Sequence, residues 1–154
     1  MNSPTYARML KALAAQAGLD AEQLLRDEEM AIDGAVIVLS QAGNALQCVC
    51  EVLRLPDAPS AQLLQLLLQA NTLGRPTQGS TLGVLAQSGA LVLAQRVPLD
   101  TPGVVAARTC REMAALSVAW ARALSGHMGG GGLSAAAAGF VPGGFAYGTL
   151  TGFP

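Results

Sequence analysis

The segment 45–55 limits the possible folds more than any other part of the chain, because its residues alternate as in a β-strand with one buried face. One face would carry Leu46, Cys48, Cys50 and Val52, and the other Gln47, Val49, Glu51 and Leu53. Two shorter alternating or β-branched runs precede it, at 30–33 and 35–40, separated by Gly34. The three runs together predict an antiparallel meander of three strands.

Helical patterns flank these strands. Ser3 and Pro4 are typical of a helix start and Gly18 of a helix end, with apolar residues at helical spacing between them. Residues 19–25 predict a short helical or turn segment, and residues 27–29 an acidic connection. The later elements are a helix after Ser60, strands at 81–87 and 90–97, and a long helix after Thr101 and Pro102. The order α-β-β-β-α-β-β-α predicts an α+β fold, in which an antiparallel sheet of about five strands packs with three helices.

The helix predicted after Ser60 is rich in leucine. Its leucines are Leu63, Leu64, Leu66, Leu67 and Leu68. They cover more of the circumference than the single apolar stripe of a helix that packs against one neighbour. We therefore expect this helix to be buried on two sides, one against its own sheet and one against another surface.

The charge composition argues against nucleic-acid binding. Lys and Arg number 9 and Asp and Glu 10, so the chain lacks the clustered basic residues that phosphate contacts need. No apolar run long enough to span a bilayer occurs before the C-terminal region, and Gln16, Gly18 and Asp20 interrupt the first apolar stretch, unlike in a secretory signal. We expect a cytoplasmic protein without membrane insertion.

No set of residues predicts catalysis or metal binding. Cys48, Cys50 and Cys110 form an odd set without a disulfide framework and are interpreted as buried thiols. The single histidine, His127, lies at a Gly-rich boundary, so neither a nucleophile relay nor a zinc site can be assembled convincingly. The run GRPTQGST lacks the lysine of a phosphate-binding loop and is interpreted as a connecting loop. We expect no catalytic residue, no metal and no cofactor.

The composition changes after Arg122, the last charged Lys, Arg, Asp or Glu side chain. Ten of the 18 glycines and all three phenylalanines lie beyond Ser125. The change predicts a domain at 1–125 and a tail at 126–154. Three interpretations of the tail are open: a cloning scar followed by a fused segment, a disordered native tail, or a tethered ligand that docks into an apolar groove of the domain. In the last case the docking residues would be Phe140, Val141, Phe145 and Tyr147.

One long run carries a resemblance to a known family. It reads LLQLLLQANTLGRPTQGSTLGVLAQSGALVLAQRVPL, a Leu-rich helix ending in Ala70-Asn71, a Gly-containing loop and a hairpin with a Gly-bearing turn. Together with Tyr6 to Leu13, Gly18-Leu19 and Trp120, this order resembles the class I chaperones of bacterial type III secretion, the group that includes the Tir chaperone. The resemblance covers residues 5–124, most of the 1–125 domain.

The resemblance implies a homodimer in the bacterial cytoplasm. Such a dimer binds the N-terminal region of an effector protein in extended form and keeps it soluble for the secretion ATPase, without catalysis. The implied dimer residues are Leu63, Leu64, Leu67, Leu82 and Val84. The implied effector-binding residues are Met30, Ile32, Val36, Val38 and Val49, through apolar contacts and strand addition.

Other interpretations remain open at the level of sequence. Each of the five sheet residues could equally be packed in the core, because core and binding faces are both apolar and both alternate. Family members are often distinctly acidic, whereas this chain has a net charge of −1. The alternative functions are a regulatory or scaffold module that binds a folded partner and, from another class, a small enzyme.

Overall fold

The computed structural model describes residues 3–128, which form four helices and five strands. In chain order they are α1 (Pro4–Ala17), α2 (Ala21–Asp27), β1 (Glu29–Ile32), β2 (Ala35–Ala42), β3 (Ala45–Arg54), α3 (Ala61–Leu73), β4 (Thr81–Leu85), β5 (Ala90–Pro98) and α4 (Gly103–Met128). The predicted α+β class and the order of its main elements are confirmed.

The first helices follow the predicted signals. The hydroxyl of Ser3 accepts a hydrogen bond from the Tyr6 amide at 3.2 Å, and Gly18 ends α1 in the left-handed conformation, with φ of 70°. The segment predicted as helical or turn is the helix α2, because the Asp20 carboxylate caps the amide of Gln23 at 2.6 Å. Residues 27–29, predicted as a connection, instead complete α2 and begin β1.

All strand pairs are antiparallel, and their spatial order is β1-β2-β3-β5-β4. The chain therefore forms the predicted meander first and then returns, after α3, to add a hairpin beside β3. In this order β1 and β4 are the two edges of the sheet. The helix α3 lies beside the β4 edge, whereas β1 pairs with β2 alone among the described strands.

The inner face of the sheet packs against α1 and α4 and contains the core. The predicted buried face of β3 is confirmed: Leu46, Cys48, Cys50 and Val52 are all buried. From α4 come Met113, Leu116, Trp120 and Leu124, and from α1 come Tyr6, Met9, Leu10 and Leu13. Burying this many large apolar side chains supplies the main driving force for folding.

The helix α3 lies beside the edge strand β4. The side-chain amide of Asn71 donates to the carbonyl of Leu82 at 2.9 Å, and the same side chain accepts from the Leu82 amide at 2.7 Å. Asn71 therefore satisfies a backbone donor and acceptor that an edge strand would otherwise present to another chain. The helix continues to Leu73, so the Ala70-Asn71 pair predicted to end it lies within its last turn.

The last helix, α4, continues to Met128, three residues past the predicted boundary after residue 125. Residues 129–154 of the tail, including Phe140, Val141, Phe145 and Tyr147, lie outside the described residues. Among the helices that are described, none combines the length and apolar character needed to cross a membrane.

Candidate protein-binding surfaces

The face of the sheet opposite α1 and α4, the outer face, exposes large apolar side chains on β2. Val36 is 50% and Val38 45% exposed, although both lie on a strand that has a neighbour on each side. Val38 lies opposite the half-buried Val49 of β3. We call Val36, Val38 and Val49 the valine surface. A contiguous group of exposed apolar side chains, unlike a single one, is a feature of surfaces that bind another chain.

The five residues implied for effector binding divide between the two faces of the sheet. Met30 is buried, and Ile32 packs against the core from the same side of β1. The register explains this, because Met30 lies opposite Ile37 and Ile32 opposite Ala35, both of which are buried. Within one chain, Val36, Val38 and Val49 are therefore the members of this set that can contact a partner directly.

The strand β1 is a short edge strand next to the valine surface. Within residues 3–128 it pairs only with β2, in a register that sets Ala31 opposite Val36 and Glu29 opposite Val38. Its free edge contrasts with that of β4, where Asn71 holds the Leu82 backbone. An extended peptide can add to the β1 edge and place its side chains against the valines.

A second group of exposed apolar residues lies on α3 and β4. Leu64 and Leu68 are one helical turn apart and are 40% and 68% exposed, while Val84 and Leu85 are exposed at the end of β4. We call these four residues the α3–β4 patch. Leu63, Leu67 and Leu82, also implied for dimerisation, are instead buried in the core of the chain.

The leucine-rich helix thus has one buried and one exposed apolar side. Leu63 and Leu67 face the core, whereas Leu64 and Leu68 face solvent. Leu68 belongs to the leucine-rich helix predicted from the sequence, but neither Leu68 nor Leu85 was among the residues implied for dimerisation. The spacing of four residues between Leu64 and Leu68 places both on one side of the helix and is the signal that could have identified Leu68. The exposed side is the one available to a second chain.

The three cysteines lie between β3 and α4, and all are buried and free of disulfides. A hydrogen bond with Cys110 and burial both raise the pKa of the Cys48 thiol, and burial raises the pKa of Cys50. Both groups are therefore neutral thiols that pack as small apolar side chains. No cluster of three or more metal-binding side chains occurs among the described residues.

The loop between α3 and β4 is fixed by its own hydrogen bonds. The indole of Trp120 donates to the carbonyl of Pro76 at 3.1 Å. Within the loop, the hydroxyl of Thr77 donates to the carbonyl of Gly74 at 3.1 Å. The hydroxyl of Ser80 donates to the side-chain oxygen of Gln95, also at 3.1 Å. The buried hydroxyls of this loop are committed to the protein itself, as expected for a connecting loop.

Comparisons with known proteins agree with this architecture. The family model of the Tir chaperone protein (CesT) family matches residues 8–120. The search of curated proteins gives no match.

Three solved structures show the same fold at low identity. The ExsC–ExsE complex contains a chain that is 16% identical, with a TM-score of 0.59, covering 75% of this chain and 90% of that one. A chain of the heterodimeric ExoU–SpcU complex from the type III secretion system of Pseudomonas aeruginosa is 20% identical, with a TM-score of 0.56. The match covers 73% of this chain and 94% of that one. A chain of the HopA1–SchA chaperone–effector complex is 17% identical, with a TM-score of 0.59. The match covers 77% of this chain and 94% of that one.

Proposed function

Because the chain belongs to the Tir chaperone protein (CesT) family, we propose that it is a bacterial, cytoplasmic chaperone that binds effectors of a type III secretion system. It holds the N-terminal region of an effector in a soluble, partly unfolded form until the secretion ATPase receives the complex. The similarity to chains from a chaperone–effector complex and from a type III secretion complex supports this role.

The observation that carries the proposal is the valine surface beside the free edge of β1. Val36 and Val38 are exposed on a strand, and β1 offers backbone groups along its outer edge. Backbone hydrogen bonds to that edge do not depend on the sequence of the client, whereas the valines select apolar side chains at alternate positions. A segment bound in this way must be extended, so the client must be unfolded there.

We propose that the α3–β4 patch forms the homodimer interface. Leu64, Leu68, Val84 and Leu85 are exposed on two neighbouring elements, and Leu68 is 68% exposed. Since the strand order places β4 at one edge and β1 at the other, a dimer built through α3 and β4 leaves both valine surfaces free. Dimerisation and client binding are then compatible.

The proposed function needs no chemistry from the chain. The buried thiols of Cys48 and Cys50 are neutral, and the hydroxyls of the 74–80 loop bond other parts of the protein. A chaperone of this kind acts through affinity and geometry alone. We therefore propose that the protein is not an enzyme.

Lysine substitutions on the valine surface test the client-binding proposal. The variant V36K/V38K should lose at least 10-fold in affinity for the N-terminal segment of a cognate effector, because two charges would face the client's apolar side chains. Co-expression of the full chain with secreted effectors from the same genome supplies the partner, and isothermal titration measures the affinity.

The matched control is V104K. Val104 is 55% exposed but lies at the start of α4, away from the β1–β2 edge. This variant should bind the segment like the wild type. Equal binding by V36K/V38K and the wild type would contradict the proposal, and binding of a folded effector domain in place of its N-terminal segment would favour a scaffold role.

A further inference from the structure

A groove lies between the C-terminal half of α4 and the first strands of the sheet. Its volume is about 330 Å³, at the small end of the range for ligand pockets. Its apolar lining consists of Gly34, Ala35, Val52, Val118 and Ala121. Since three of these residues have little or no side chain, the groove has room for one or two large apolar side chains.

The groove carries no net charge. Its other lining residues are Glu51 of β3 and Ser117, Arg122 and Ser125 of α4, so the formal charges of Glu51 and Arg122 cancel. A charged ligand would gain from one of these groups and be repelled by the other. An uncharged, apolar polypeptide segment fits this arrangement better than an ion or a basic or acidic peptide.

The tail of the same chain has the matching composition. After Arg122 the sequence contains no Lys, Arg, Asp or Glu, and it contains all three phenylalanines of the protein. The segment 140–147 holds Phe140, Val141, Phe145 and Tyr147 within eight residues. Aromatic side chains bury more apolar area than any others, so this segment is the strongest apolar ligand in the tail.

The tail also starts in the right place. Ser125 lines the groove and α4 ends at Met128, about one helical turn farther on. A random coil of some twelve residues spans roughly 20 Å, which is enough to return to the groove. Such a tether gives an effective concentration on the order of 1 mM, so even weak docking would be well populated.

We propose that the segment 140–147 folds back into the groove between α4 and β3 of its own chain. Phe140, Phe145 or both occupy the space above Gly34, Ala35 and Ala121. Ala35 faces α4 from the start of β2, whereas Val36 and Val38 lie on the opposite face of the sheet, so the proposed docking is separate from the valine surface.

Photo-crosslinking in the full-length chain tests the docking. Phe145 is replaced by p-benzoylphenylalanine, and the irradiated protein is digested with trypsin. Arg122 is the last trypsin site, so the probe remains in the peptide 123–154. The groove lies on two other peptides, 27–54 and 112–122, whereas the α3–β4 patch lies on 55–96.

The proposal predicts cross-links from 123–154 to the peptides 27–54 and 112–122. In a mixture of ¹⁵N-labelled and unlabelled protein, both members of each pair should carry the same isotope. Cross-links to 55–96, cross-links between isotopes, or a scatter over all peptides would each overturn it.

Two variants that fill the groove complete the test. A121W and S125W should lower the cross-linking yield at least 10-fold, and S125W cannot disturb the core because Ser125 is exposed. The matched control is A115W, at an exposed position of the same helix outside the groove, which should leave the yield unchanged. An unchanged yield in S125W would contradict the proposed site even if A121W failed to fold. The assay requires no effector, so its outcome is independent of the client-binding proposal.

Discussion

At position 103 the first turn of α4 lies against the backbone of α1. A β-carbon built on Gly103 would lie 2.8 Å from the carbonyl oxygen of Ala12 and 2.9 Å from its carbonyl carbon and Cβ. These atoms belong to a helix and cannot rotate away. Only glycine allows the two helices to approach this closely, so Gly103 sets the distance between α1 and α4.

The substitution G103A is therefore expected to destabilise the protein by about 1–3 kcal/mol, because the helices must separate. Urea unfolding followed by the fluorescence of Trp120, the single tryptophan, measures the change. The control is G126A in the same helix, where an added β-carbon meets nothing within 4 Å and helix propensity favours alanine. Equal stabilities of G103A and G126A would contradict the close approach.

Individual residues were predictable where one physical signal dominated. The alternation in β3 identified four buried side chains, and Ser3, Gly18 and Ser60 marked helix ends that the structure contains. Met30 and Val36 show the limit, since both are apolar residues in alternating runs and only the β1–β2 register separates them. Contacts between distant segments, such as Gly103 with Ala12, leave no local pattern in the sequence.

Among the elements, α3 and β4 depend on one another through Asn71. Its side chain substitutes for a neighbouring strand along the outer edge of β4. The sequence predicted both elements, and the resemblance drew attention to Ala70-Asn71 in α3, but neither revealed the hydrogen bonds. The helix α2 was predicted only as helical or turn, because seven residues are too few for a clear helical period.

The substitution N71A should weaken this edge. It leaves the amide and carbonyl of Leu82 without their partner, which we expect to cost about 1–3 kcal/mol in the free energy of unfolding. Hydrogen exchange at the Leu82 amide should accelerate in parallel. Q69A, at an exposed position of α3, is the control and should change neither quantity. Unchanged exchange at Leu82 in N71A would show that the side chain does not hold the strand.

At the scale of the whole molecule, the chain presents two apolar surfaces at opposite edges of one sheet. The valine surface accompanies β1 and β2, and the α3–β4 patch accompanies β4. The sequence indicated that the leucine-rich helix needs a second partner, but it could not assign each leucine to the core or to the surface. That assignment follows from how α3 is rotated against the sheet, which is set by packing across the whole domain.

The double variant L64D/L68D should convert a dimer of about twice 15.6 kDa into a folded monomer, as measured by light scattering. Both leucines are exposed in the single chain, so the charges disturb only the interface.

The substitution L67D should instead unfold the protein, because Leu67 is buried. The control L19D alters another exposed leucine, away from α3 and β4, and should remain dimeric. A dimeric L64D/L68D would place the interface elsewhere.

The measurement that tests the central claim most directly is the mass of the purified chain co-expressed with an effector, combined with hydrogen exchange on the bound effector. The proposed function predicts two chaperone chains with one effector, and an effector whose N-terminal segment is protected only along the backbone that meets β1. It also predicts that V36K/V38K elutes without the effector. A monomer that captures nothing, or a complex formed through a folded effector domain with its N-terminal segment free, would contradict the account.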